Sequence, residues 1–460
     1  MKNMKRFTRV TTIVLSVAAV ITASGCGSGG GVVSPPPGHV STWSWVNGAK
    51  ALYQAGVYGT EGTASPSNVP GARAGAVSWR DSSGHFWLFG GSGVDSNGTL
   101  QDLNDLWKFD GTNWTWVSGS NLVQQPGVYG TKGVASPSNV PGARDGAVSW
   151  IDNSGNIWLF GGAIQLNDLW KFDGANWTWV SGSNLSQQAG AYGIKGTASS
   201  TNAPGGRSDS VSWIDGSGNL WLFGGFGSDS AGAQGDLNDL WKFDGTNWTW
   251  VSGSNVISQP GVYGTKGTSS PSNVPGARFT SVSSIDKSGN LWLFGGIGRE
   301  STGTQGNLND LWKFDGSNWT WVSGSNVISQ PGVYGTKGTP SSSNVPGTRN
   351  SAVSWTDNAG NLWLFGGFGN DSTGTLSLLS DLWKFDGTNW TWVSGSQVGN
   401  GTGTYGTLGV ASASNLASSR AGAVSWRDGS GNLWFFGGLG EDPAGASASG
   451  NLNDLWRFTP

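Results

Sequence analysis

Six arginines and six aspartates recur at matched positions along the 460-residue chain, and their types and spacing could support chemistry. The arginines are Arg73, Arg144, Arg207, Arg278, Arg349 and Arg420, and the aspartates are Asp105, Asp168, Asp239, Asp310, Asp381 and Asp454. One Arg–Asp ion pair in each repeat would satisfy both charges, because a guanidinium group and a carboxylate can form two parallel hydrogen bonds. We favour that structural interpretation. The alternative is that the six arginines form a positive ring around a channel mouth that binds an anionic ligand, with Arg144, Arg207, Arg278 and Arg349 as the candidate binding residues.

The positions just after these arginines differ between repeats that are otherwise nearly identical. The first and last repeats have Ala74 and Ala421 there, whereas the other four have Asp145, Asp209, Phe279 and Asn350 at or beside that position. No packing rule of the repeat requires these differences. We therefore predict that these four residues form a ligand-binding site.

Phe279 has a second explanation, which is that it fills space left by Ser284. That serine replaces a tryptophan found in the other five repeats. Phe279 and Ser284 lie five positions apart on one predicted strand, and side chains alternate between the two faces of a strand. The two side chains are therefore expected on opposite faces, which weakens this explanation.

The sequence contains few residues that could bind a metal ion or act as a catalytic nucleophile with its base. The chain has two histidines, His39 and His85, and one cysteine, Cys26, so we predict no metal site, no cofactor and no Ser-His-Asp triad. The loops that follow the pattern D/E-S-x-G contain one acidic residue each, which supplies too few ligands for a calcium site. A pair of carboxylates for glycoside hydrolysis would have to come from Asp95, Asp145, Asp209, Asp229, Glu300, Asp371 and Asp442. We assign no catalytic residue, and an enzyme acting on carbohydrate stays an alternative.

The elements that carry these residues are best seen in the block Gly71–Ser118. Four short segments in it have strand character, and they are Ala74–Trp79, Phe86–Phe89, Asp105–Phe109 and Trp114–Val117. Tight turns rich in Asp, Asn and Gly separate the first from the second segment and the third from the fourth. The block is predicted to be a four-stranded antiparallel meander.

This block occurs six times, and the repeated arginines are 71, 63, 71, 71 and 71 residues apart. A fixed period of this kind indicates one unit stacked on copies of itself, and a four-stranded meander per unit favours a β-propeller. The short interval comes from the second repeat, which has only Ala163-Ile164-Gln165 where the others have a long loop. The predicted fold is an all-β, six-bladed propeller.

The repeat resembles that of the kelch family, which has an apolar run ending in Gly-Gly and aromatic residues on the third and fourth strands. Phe86–Gly91, Trp107, Trp114 and Trp116 supply these features in the first unit, and the resemblance covers residues 41–460. It implies a galactose oxidase-like fold, and ligand contact at the inner-strand ends nearest the axis. The copper site of galactose oxidase needs histidines, tyrosines and a cysteine that this chain does not supply.

The two ends of the chain are predicted to close the ring. Thr42–Val46 copies a fourth strand without the first three, and Asn451–Phe458 is a third strand with no fourth strand after it. Pairing them completes the sixth blade and protects two open edges. Strand direction then places every long loop on one face, here named the long-loop face, and the tight turns on the opposite short-turn face. We predict that a ligand binds on the long-loop face.

A repeated GxYG motif lies in the links between blades. Its tyrosines are Tyr58, Tyr129, Tyr192, Tyr263, Tyr334 and Tyr405. We expect them to pin the links onto the blades, and a stacking platform for sugars is the alternative.

The first 41 residues predict export and a lipid anchor. Basic residues precede the apolar run Val10–Ala23, which is too short to span a bilayer and typical of a signal peptide. Ala23-Ser24-Gly25-Cys26 resembles the bacterial lipobox, with Ala23 in place of the usual leucine. We therefore predict a signal peptide over 1–25, lipidation of Cys26, a Gly/Pro tether over 26–41 and the propeller over 42–460.

Charge and composition narrow the function further. Removal of the signal peptide takes away four basic residues, so the net charge of −3 becomes about −7, which excludes electrostatic binding of nucleic acid. We predict a monomer in the bacterial envelope or at the cell surface, attached to the membrane only through its lipid. The predicted function is binding of a protein or glycan. A carbohydrate-active enzyme and a structural surface protein are the alternatives.

Overall fold

The computed structural model describes residues 41–445 and 448–460, which form strands and turns. Cys26, the predicted signal peptide and nearly all of the tether lie outside these residues. In the described part of the chain there is no helix long and apolar enough to cross a membrane.

The strands fall into six consecutive groups, one for each repeat, preceded by β1 (Thr42–Asn47). Blade one contains β2 (Arg73–Ala74), β3 (Val77–Arg80), β4 (Phe86–Phe89), β5 (Ser92–Val94), β6 (Leu100–Asp102), β7 (Leu106–Phe109) and β8 (Trp114–Ser118). Blade two contains β9 (Val148–Ile151), β10 (Ile157–Phe160), β11 (Leu169–Phe172) and β12 (Trp177–Ser181). Blade three contains β13 (Arg207–Ser208), β14 (Val211–Ile214), β15 (Leu220–Ser228), β16 (Gln234–Phe243) and β17 (Trp248–Ser252).

The remaining groups repeat the same order of strands. Blade four contains β18 (Arg278–Phe279), β19 (Val282–Ile285), β20 (Leu291–Arg299), β21 (Gln305–Phe314) and β22 (Trp319–Ser323). Blade five contains β23 (Arg349–Asn350), β24 (Val353–Thr356), β25 (Leu362–Phe365), β26 (Phe368–Asn370), β27 (Leu376–Leu378), β28 (Leu382–Phe385) and β29 (Trp390–Ser394). Blade six contains β30 (Arg420–Ala421), β31 (Val424–Arg427), β32 (Leu433–Glu441) and β33 (Ser449–Thr459).

The innermost long strands of the six blades form a closed ring. Each contacts the next in the order β3, β9, β14, β19, β24 and β31, and β31 contacts β3. Within the described residues the hydrogen-bonded sheets number eight, because blades one and five each carry a separate small three-stranded sheet on the long-loop face. The predicted all-β, six-bladed propeller is confirmed.

The closure of the ring also follows the prediction. β1 pairs antiparallel with β33, so that Trp43 lies opposite Phe458 and Trp45 lies opposite Trp456. The side chain of Trp43 is only 2% exposed, and it contacts rings from blades five and six, including Phe365 at 5.4 Å between centroids. β1 is therefore the fourth strand of blade six.

The core consists of six hydrophobic clusters, each shared by two consecutive blades. The third-strand tryptophans, from Trp107 to Trp456, are 0% exposed and lie at the centre of this packing. A chain rich in Gly and Ser gains its apolar area from these rings, because one large aromatic side chain buries about 150–250 Å².

The long loops are more regular than the sequence predicted. In blade one the predicted loop Ser92–Asp102 forms the hairpin β5–β6, and in blades three, four and six the second and third strands simply continue into the loop. Blade two has no such extension because Ala163-Ile164-Gln165 is too short to form one.

The first strand of each repeat is not continuous, and this corrects one prediction. In blade four, β18 ends at Phe279 and β19 begins at Val282, because Thr280 between them adopts a φ of 53°. The alternation of side chains does not carry through this break, so the argument that placed Phe279 and Ser284 on opposite faces is wrong. The hydroxyl of Ser284 contacts the hydroxyl of Thr356 in blade five, and Ser284 lies opposite the half-buried Trp292 on the neighbouring strand.

Candidate functional site

Each repeated arginine forms a buried ion pair with the aspartate of its own blade. In blade four, Nη1 and Nη2 of Arg278 donate to Oδ1 and Oδ2 of Asp310, both at 2.7 Å. Nε of Arg278 also donates to the carbonyl of Gly276, and Nη1 donates to the carbonyl of Gly295, both at 3.0 Å. The same fork-to-fork geometry recurs in all six blades.

Two further donors complete the environment of each aspartate. In blade four, the hydroxyl of Tyr263 and the indole Nε1 of Trp312 each donate to Oδ2 of Asp310 at 2.7 Å. Burial and the neighbouring carboxylate raise the pKa of Tyr263, so the hydroxyl keeps its proton and remains a donor. The GxYG tyrosines thus fix the links between blades onto the propeller, as expected.

The geometry corrects the alternative role given to the arginines. The side chains of Arg144, Arg207, Arg278 and Arg349 are at most 1% exposed, and every one of them is paired with an aspartate. An anion at the channel mouth would not reach these guanidinium groups. Their charge is used inside the blades, where it neutralises a carboxylate that would otherwise be costly to bury.

A ring of backbone hydrogen bonds surrounds the axis on the long-loop face. It is formed by the second residue after each arginine, and the members of this mouth ring are Gly75, Gly146, Asp209, Thr280, Ser351 and Gly422. Each N–H donates to the carbonyl of the member in the preceding blade, at distances between 2.7 and 3.0 Å. All six residues have φ between 51° and 66°, a conformation that turns the chain out of the first strand.

An open cavity of about 400 Å³ lies against one side of the mouth ring. Phe368, Leu378 and Leu439 contribute its apolar surface, and Asp145, Asn350 and Ser351 are among its polar residues. Ala74 of blade one and Ala421 of blade six also line this mouth cavity, and their small side chains leave the space open. A volume of this size is within the usual range of small-molecule sites.

The four predicted ligand-binding residues all lie around the mouth, but in different roles. Asp145 and Asn350 line the mouth cavity, and Asp209 is a member of the mouth ring. Phe279 packs edge-to-face on Phe226 with 5.9 Å between ring centroids, and these two rings occupy the side of the mouth formed by blades three and four. The four predicted residues come from blades two to five, whereas the open space lies mainly over blades five, six and one.

Asp102, Asp145 and Asp209 have raised pKa values, as does Asp236 of blade three, whose pKa is raised by burial. Burial, together with the charge of Asp145, raises the pKa of Asp209 to about 6, and the same two causes raise the pKa of Asp102 to about 6. Burial also raises the pKa of Asp145. The negative charge of Asp145 thus disfavours ionisation of Asp102 and of Asp209, and the three carboxylates form an acidic region.

Sequence reasoning missed the apolar residues of the mouth cavity. Phe368 and Leu439 directly follow the Gly-Gly pair of their blades, and they are 38% and 41% exposed. Strand pairing places Phe368 opposite Asn350 and Leu439 opposite Ala421. The sequence did contain a signal for these residues: a large apolar residue follows Gly-Gly in a loop that is predicted to be exposed.

The remaining carboxylates that the sequence singled out cap turns. Asp95 accepts hydrogen bonds from the backbone N–H groups of Asn97 and Thr99, and Asp229 accepts from those of Ala231 and Ala233. These acids organise their own loops. Within residues 41–445 and 448–460, no group of three or more His, Cys, Asp and Glu side chains is placed to hold a metal ion.

Comparisons with known proteins add a likeness of fold. No family model and no curated protein matches the chain. The solved structure of YjhT is 15% identical, with a TM-score of 0.47 over 84% of this chain and 95% of that chain. A fungal alcohol oxidase of the AA5 family, solved in complex with copper, is 14% identical, with a TM-score of 0.43 over 87% of this chain and 77% of that chain. These likenesses carry no function to this chain, and the propeller assignment rests on its own strand pairing.

Proposed function

We propose that this propeller is a ligand-binding module and that the mouth cavity is its binding site. The observation that carries the proposal is the position of the cavity. It lies on the long-loop face, at the point where Ala74 and Ala421 leave space that Phe279 and Phe226 fill on the other side of the mouth. A concave, largely apolar surface with a few convergent polar groups is the usual form of a small-ligand site.

A cavity-filling variant tests this proposal. Ala421→Phe copies the arrangement of blade four, where Phe279 pairs with Ile297 just as Ala421 pairs with Leu439, so the fold should tolerate the change. We expect the variant to lose capture of the ligands that the wild-type protein retains on a glycan and peptide array. Ala175→Phe, an equal enlargement of an exposed residue in a turn of the short-turn face, is the matched control and should not change capture. Loss of capture only in the control would place the site on the opposite face.

A carbohydrate-active enzyme is the second candidate, and one observation favours it. Burial, together with the charge of Asp145, raises the pKa of Asp209 to about 6, which suits a general acid. This candidate predicts that a captured glycan is cleaved and that both Asp145→Asn and Asp209→Asn abolish cleavage. Reducing-end analysis of the captured glycan decides the question, because capture without cleavage would contradict an enzyme.

We also propose that Cys26 carries the lipid that attaches the propeller to the bacterial envelope. The support is the sequence: a basic start, an apolar run and the only cysteine of the chain, placed directly after Ser24-Gly25. Cys26→Ser should release the protein from the membrane pellet or block its processing. An unchanged pellet, with no acyl mass on the wild-type N-terminus, would contradict this anchor.

A further inference from the structure

The mouth cavity combines an apolar wall with a carboxylate. Phe368, Leu378 and Leu439 supply the wall, and the first and third are well exposed to a ligand. Asp145 is the charged residue that lines the same space. A ligand that buries an apolar body there would bring its polar end next to this carboxylate.

No basic side chain of the described chain neutralises this acidic region. The ion pairs within residues 41–445 and 448–460 include neither Asp102, Asp145 nor Asp209. The nearest arginine in sequence, Arg144, is committed to Asp168.

Blade three provides a comparison for this region. Asp236 occupies the position that Asp102 has in blade one, and Nε of Arg299 lies 3.2 Å from its Oδ2, while Gln305 also donates to that oxygen at 2.6 Å. The fold therefore gives the equivalent acid of blade three a cationic partner and leaves Asp102 of blade one and Asp145 of blade two without one. A bound cation would supply the missing partner, whereas an anion would be repelled.

We propose that the mouth cavity binds a small organic ammonium compound, with the ammonium group against Asp145 and the apolar body against Phe368 and Leu439. This inference rests on the proposed function, since it assigns a chemical class to the ligand of the same site. The hydrogen bond from an ammonium group to a carboxylate gives the charge preference, and the apolar wall gives the contact area.

Calorimetric titration of the purified protein with three matched probes tests the inference. The probes are 2-phenylethylammonium, its neutral counterpart 2-phenylethanol and the anion 3-phenylpropanoate. We expect the ammonium compound to bind about tenfold more tightly than the alcohol, which is the usual advantage of a charge-assisted hydrogen bond over a neutral one. The anion should bind more weakly than either.

Variants assign the preference to particular side chains. Asp145→Asn should remove the tenfold preference and leave the alcohol unaffected, whereas Phe368→Ala should weaken the ammonium compound and the alcohol by the same factor. Glu61→Gln, which removes an exposed negative charge from the link of blade one, is the control and should leave all three affinities unchanged. Circular dichroism of each variant shows whether it is folded.

The outcomes separate this inference from the proposed function. If the alcohol or the anion binds as tightly as the ammonium compound, the inferred ligand class is wrong while the site remains. If Asp145→Asn keeps the full preference, the role given to Asp145 is wrong. If none of the three probes binds and Ala421→Phe leaves array capture intact, both the inference and the proposed site are overturned.

Discussion

Replacing Arg278 by methionine tests whether the repeated arginines stabilise the blades or serve a ligand. Methionine keeps a similar unbranched stem and removes the guanidinium group, so Asp310 loses two of its four donors and keeps Tyr263 and Trp312. The carbonyl of Gly276 loses the donor Nε, and the carbonyl of Gly295 loses Nη1 but keeps the hydroxyl of Ser281 as a donor. The change thus leaves a charged group in the core without its counter-ion.

The expected cost follows from this count of bonds. Removing one partner of a buried ion pair typically costs about 3–5 kcal/mol, because the other charge remains buried. Two donors still reach the carboxylate of Asp310, so we expect about 3–4 kcal/mol of destabilisation at pH 7.5.

Urea titration followed by tryptophan fluorescence measures this cost, since urea does not screen charges. Lys287→Met removes an exposed positive charge in the neighbouring hairpin and should change stability by less than about 0.5 kcal/mol. Arg278→Met combined with Asp310→Leu removes both charges and should be more stable than Arg278→Met alone. A cost below about 1 kcal/mol for Arg278→Met, far under the range for a broken buried pair, would refute the structural role of the arginines.

Three further variants test the closure of the ring by β1, the packing around Ser284 and the buried charge of Asp209 at the mouth. Deleting Thr42–Asn47 should leave β33 with an unpaired edge and remove the buried ring of Trp43. Calorimetry should then show a lower melting temperature, or light scattering should show aggregation. A truncated protein that melts like the parent would contradict ring closure by β1. Ser284→Trp should stabilise the protein by about 1–2 kcal/mol in urea titration, because the indole would cover the half-buried Trp292 opposite it. The equivalent Trp213 packs in one cluster with Ile285, and here the smaller Thr356 stands in place of that isoleucine. A loss of stability would show that no such space exists. Asp209→Asn should stabilise the protein by about 1–2 kcal/mol at pH 7.5 and have little effect at pH 4. The folded-state pKa of Asp209, about 6, lies above the pKa of about 3.9 that an aspartate has in an unfolded chain. The wild type therefore loses stability as the pH rises from the lower of these two pKa values to the higher. An equal effect of Asp209→Asn at pH 4 and pH 7.5 would contradict this reasoning.

Much of the fold could be predicted because the sequence patterns that determine its turns and strands are local and recur in every repeat. Turns such as Asp81–Gly84 and Asp110–Asn113 mark the meander, and the spacing of the arginines gives the number of blades. Thr42–Val46 matches a fourth strand without the first three, and the last repeat has no fourth strand. The sequence therefore predicts that these two segments pair. The pairing of Arg73 with Asp105 was also predictable, because two buried opposite charges on one blade need each other.

The mouth was harder to predict because its geometry depends on contacts between distant parts of the chain. The mouth ring joins one residue from each of six repeats, and no single repeat shows that its backbone must turn there. Ala74 and Ala421 are neighbours only because the ring closes, so the space between them cannot be seen from either repeat alone. The hairpin β5–β6 was missed for a different reason, which is that its variable, polar sequence has a weak strand pattern.

The mouth ring also explains why the residues around it can differ. Its hydrogen bonds run from backbone N–H to backbone carbonyl, so they form in the same way with Gly146, Asp209 or Thr280 at that position. The side chains beside the ring are therefore released from holding the blades together, a task that the buried Arg–Asp pairs and the clusters between blades perform. Substitutions such as Ala421 or Phe279 next to the arginine then change the shape of the cavity with little cost in stability. A frame held by backbone bonds and lined by replaceable side chains is suited to acquiring a specific ligand.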